Sequence, residues 1–62
     1  MNDLTQNAID QAYQNNVIKL FDGLFAAYVT AFDDLDKSNA LTKFSNGVAI
    51  VKEAKEAAES AL

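Results

Sequence analysis

Residues 13–35, YQNNVIKLFDGLFAAYVTAFDDL, decide the fold. Placed at about 100° per residue, Tyr13, Val17, Leu20, Phe21, Leu24, Phe25, Tyr28, Ala31, Phe32 and Leu35 share one broad arc. Asn15, Asn16, Lys19, Asp22, Gly23, Thr30, Asp33 and Asp34 lie on the other side. This pattern predicts an amphipathic helix over about 17–36, with an apolar arc of roughly 140°.

Downstream, Ala40, Leu41, Phe44, Gly47, Val48, Val51, Ala54, Ala58 and Leu62 make a second apolar face, opposite Thr42, Ser45, Glu53, Glu56 and Ser60. A second helix is expected over about 39–61. Asp36, Lys37, Ser38 and Asn39 would form the connection, with Ser38 or Asn39 as the N-cap of the second helix. So short a link makes the two helices antiparallel neighbours. Ala40, Gly47, Ala54 and Ala61 recur every seven residues, a small-residue seam suited to close approach by the bulky first helix.

Upstream, Leu4, Ala8, Ile9 and Ala12 form a stripe that points away from the stripe of the first helix if the helix continues unbroken. Asn15-Asn16 can end a short N-terminal helix in a left-handed cap, so that it folds back across the hairpin. The alternative is a helix running straight through, its first turns offering Leu4 and Ile9 to another chain. The expected architecture is therefore all-α and a single domain over 1–62. It combines an antiparallel hairpin with a short N-terminal helical segment, completed as a three-helix bundle or a dimeric four-helix bundle.

Composition bounds the chemistry. A 62-residue chain buries only about 60% of the surface its unfolded form exposes, so it usually needs a disulfide, a metal or a partner. The chain has no Cys and no His. Disulfides, thiolate metal sites and the usual proton shuttle are thereby excluded, and association is left as the stabilising device. No catalytic residue, cofactor site or metal site is expected, and the protein is read as a non-enzyme. The net charge is −4 and every cation is Lys. This disfavours a nucleic-acid backbone or an anionic membrane as partner. The start Met1-Asn2-Asp3-Leu4 lacks the basic region of a leader, and the apolar run from Val17 to Phe32 is broken by Lys19, Asp22 and Thr30. A cytoplasmic location is the expectation.

Two clusters carry the functional expectations. The aromatic residues Phe21, Phe25, Tyr28 and Phe32, with Leu4 and Ile9, are expected to form an interface, because one helix of mostly small residues cannot cover so wide an arc. Its partner is expected to be a second copy, giving a homodimer, or another protein. The acids Asp33, Asp34 and Asp36 suggest docking to a basic surface, as in a small inhibitor or adaptor that masks a target. Accessory proteins of mobile elements and phages work in this way. A third possibility is a carrier of a small apolar ligand in the bundle core. The spacing Asp34, Asp36, Ser38 resembles the start of a calcium-binding EF-hand loop. It departs at Asn39, where that loop needs Gly, and at Ser45, where it needs a bidentate Glu, so calcium is not expected.

Overall fold

In a computed structural model, which describes residues 3–62, the chain forms two α-helices of 27 residues each. They are α1 (Asp3–Val29) and α2 (Asp34–Ser60), packed side by side as a hairpin, with no strand among the described residues. Met1 and Asn2, which entered the reading of the leader, lie outside those residues. The molecule is long and thin, 49 × 15 × 8 Å.

The helices meet along a seam of half-buried positions. On α1 these include Ile9, Tyr13, Val17, Leu20, Leu24 and Ala27; on α2 they include Phe44, Gly47, Val51 and Lys55, with Ala40 buried among them. Most of these steps are three or four residues, the period that keeps one stripe facing a neighbouring helix. Gly47 marks the tightest crossing. A Cβ there would sit 2.7 Å from Cδ2 of Leu20, so the leucine occupies the space that any side chain at 47 would need.

The first correction concerns the N-terminal segment, where the alternative expectation, a helix running straight through, is the one met. It is not a separate helix: α1 runs unbroken through Asn15 and Asn16. Asn16 ties itself into the helix by donating from Nδ2 to the Ala12 carbonyl at 2.8 Å, and no described residue adopts the left-handed conformation that a break there would use. With α1 continuous, no third helix crosses the hairpin among the described residues.

The second correction moves the turn. The helices expected over 17–36 and 39–61 give way to a connection at residues 30–33, and Asp33 takes the capping role assigned to Ser38 or Asn39. Thr30 and Ala31 close α1, with amide bonds to the carbonyls of Ala26 and Tyr28. Asp33 is extended, at φ −151° and ψ −179°, and its Oδ1 accepts from the Asp36 amide at 2.9 Å. Asp36 answers by accepting from the Phe32 amide at 3.0 Å. The two carboxylates thus satisfy one backbone donor that the start of α2 leaves orphaned, that of Asp36, and one of the connection, that of Phe32. Acids placed here also favour the positive end of the α2 dipole, whereas at the end of a longer first helix they would have opposed it.

Shifting the turn takes Ala31, Phe32 and Leu35 out of the first helix. Phe32 sits in the connection and is 98% exposed, while Leu35 falls in the first turn of α2, 66% exposed. The hairpin as a whole encloses very little. Ala40 is the one buried residue among those described, and Phe21, Phe25, Val29 and Ile50 are each more than half open. The surface totals 4853 Å². A compact monomer of 6.7 kDa would show about 3,900 Å².

Candidate interaction face

An exposed apolar feature lies beside the seam, on the half of the hairpin nearest the turn. On α1, Ile18, Phe21, Phe25 and Val29 follow one another at helical spacing, roughly 130° round from the positions that face α2. Phe21, Leu24, Phe25 and Tyr28 join Leu41 of α2 around a groove of about 300 Å³ that has no charged residue in its wall. Lys37 closes one edge, its Nζ 5.8 Å from the centre of the Tyr28 ring, a cation–π arrangement. The groove exists because α1 carries apolar residues over more of its circumference than α2 can cover.

The open end of the hairpin is built differently. Lys55 reaches Glu59 at 3.2 Å and Asp10 at 3.7 Å, and its ammonium lies 5.5 Å from the centre of the Tyr13 ring. Gln6 donates to Asp10 at 3.1 Å and to Glu59 at 2.7 Å, so five side chains from both helices form one polar cluster. The hydrogen bond to Glu59 holds the Lys55 pKa above its ordinary 10.5, with the charges of Glu59 and Asp10 adding to it against the opposing effect of desolvation. An amine held protonated in this way is a structural cation; general-base work would need the opposite shift. The cluster ties the two helices together at their open end.

The remaining sequence-derived residues scatter. Leu4 is 81% exposed on α1, away from the aromatic groove, whereas Ile9 is half-buried and lines a furrow with Val51, Ala54 and Ala58 of α2. Phe21 and Phe25 share the groove with Tyr28, and Phe32 projects from the turn beyond it. Asp33 and Asp36 are engaged in capping, which leaves Asp34 as the one acid of the three with no capping bond. Of the small-residue seam, Ala40 is buried and Gly47 abuts Leu20, while Ala54 is exposed and Ala61 is the C-cap of α2, its amide directed at the carbonyls of Ala57 and Ala58.

Two members of the face, Ile18 and Val29, fall outside the single broad arc drawn for the first helix, which in fact carries two adjacent stripes, and Leu41, placed on the apolar face of the second helix, lines the groove from the other side. The hydroxyls of Thr30 and Thr42 donate to carbonyls of their own helices. Among the described residues no group of three His, Cys, Asp or Glu side chains could hold a metal ion, and no helix is long and apolar enough to cross a membrane. No family model, curated protein or solved structure matches the chain.

Proposed function

We propose that the chain is a non-enzymatic protein-interaction module, regulatory or structural. It works through the aromatic flank of its turn half and completes a four-helix bundle with a helix pair from outside the chain. The observation that carries this reading is the imbalance between interior and surface. A hairpin with Ala40 as its one buried described residue exposes a contiguous run of Ile18, Phe21, Phe25 and Val29. Patches of this kind on small proteins mark places where another chain sits. A cytosolic setting goes with this reading.

The masking role for the acids draws less support, because Asp33 and Asp36 already have partners within the turn. A ligand carrier would need an enclosed apolar chamber, and the aromatic groove is a surface furrow that only a second chain could roof. Native mass spectrometry of the protein purified from its own host tests the reading. Wild type should appear in a complex, with itself or with another protein, and Phe25→Asp should reduce that complex at least tenfold. An undiminished complex in the variant would sink the assignment of this face.

A further inference from the structure

The aromatic flank is symmetric along its length. On α1, Phe21, Phe25 and Val29 are spaced four residues apart on either side of Phe25, with Ile18 three residues before Phe21 and Phe32, in the connection, three after Val29. Each is more than half exposed, from 56% at Phe21 to 98% at Phe32. A helix with such a stripe matches its own copy laid antiparallel across a two-fold axis. Phe25 then meets Phe25, Phe21 meets Val29, and Ile18 meets Phe32 at the partner's tip.

Helix α2 adds a charge pattern to the same side. Asp34, Leu41 and Val48 fall on one heptad row, and Ser38, Ser45 and Lys52 on the row beside it. Leu41 lines the groove with Phe21 and Phe25, which fixes the side that these rows face. The contact of Leu20 with Gly47 fixes the level of one helix against the other and puts Phe25 beside about residue 42. An axis through Phe25 therefore carries Asp34 to within roughly 3 Å of axial rise from the partner's Lys52, and the pairing occurs twice. Hairpins pointing the same way would instead stack the acidic tip, with Asp33, Asp34 and Asp36, upon its own copy.

We infer that the aromatic flank takes a second copy of this chain, crossed antiparallel so that the two turn halves overlap around Phe25 and the polar halves extend outward. This rests on the reading of that flank as an interface.

Because the chain lacks Cys, introduced thiols are the only ones present. Full-length Asp34→Cys and Lys52→Cys proteins, mixed under mild oxidation, should give a mixed disulfide dimer. Neither protein alone should, since like positions lie about 24 Å (Asp34) and about 30 Å (Lys52) apart along the overlap, beyond the reach of a disulfide. Disulfide formation by Asp34→Cys alone would mean hairpins pointing the same way and would overturn the arrangement. A chain-mass monomer in light scattering at tens of micromolar would overturn the choice of partner. It would not touch the interface itself, which the Phe25→Asp comparison in host extracts tests separately. A charge exchange gives a second measure. Asp34→Lys should weaken the dimer roughly threefold to tenfold, and adding Lys52→Asp to the same chain should restore it. Failure of the second change to rescue would count against the pairing. Circular dichroism verifies that each variant keeps its helices.

Discussion

The two glycines of this chain serve opposite ends, and they give the sharpest tests at the level of single residues. Gly23 faces open space, with nothing within 4 Å of where a Cβ would stand, so Gly23→Ala should stabilise the protein by about 1 kcal/mol through helix propensity. Gly47→Ala brings the same propensity but drives a methyl into Leu20, which must move aside. Its expected outcome is no gain or a net loss of about 1 kcal/mol. Thermal melts of the two variants at one protein concentration compare them directly, and equal upward shifts would refute the account of Gly47. Lys55 supplies a pH test. Its pKa is raised in the fold, so its contribution is fully present below 10.5 and is lost as pH climbs through the folded-state value. Wild type should therefore lose more stability than Lys55→Met over roughly pH 9 to 12. Superimposable alkaline curves would show that the cluster around Lys55 adds nothing.

At the level of elements, the helices were legible and their ends were not. Apolar residues at three- and four-residue steps over 13–35 and 40–62 suffice to indicate two paired helices, because that periodicity follows from helix geometry whatever the neighbours do. The turn was misplaced because Phe32 and Leu35 continue the apolar arc on paper, and neither Gly nor Pro punctuates the chain near them. What ends α1 is the capping pair, Asp33 with Asp36, three residues apart. That spacing is readable as a capping signal once Asp is allowed in both roles. The Asn15-Asn16 doublet misled in the other direction, since Asn16 bonds back to Ala12 and leaves the helix intact. Only part of the candidate face could be drawn from the sequence. Phe21, Phe25 and Tyr28 stand out by size, but dividing the arc into a stripe for α2 and a stripe for a partner requires knowing where α2 lies. If capping fixes the turn, Asp33→Ala should cost about 1 kcal/mol in chemical denaturation, and Asp36→Ala should behave alike. Replacing Ser38, which sits inside α2, should change stability by less than about 0.5 kcal/mol.

The corner of the molecule is shaped by a handful of atoms. Thr30, Ala31, Phe32 and Asp33 include no glycine or proline, and no residue of the turn has a positive φ. Nothing in their covalent chemistry forbids an unbroken helix from Asp3 to Ser60. The seam that joins α1 to α2 would serve equally well between α1 of one straightened chain and α2 of another. The hairpin is thus one of two ways to satisfy the same contacts, and the carboxylates at the corner act as a latch on a hinge. An Asp33→Ala, Asp36→Ala double variant should spring open into a rod about 87 Å long, visible in small-angle scattering as an increase in maximum dimension. A particle of unchanged length would show that the corner holds without its latch. Should the rod appear, this short chain could exchange arms with its copies, and the corner would govern whether it exists as a compact clasp or as one strut in a longer assembly.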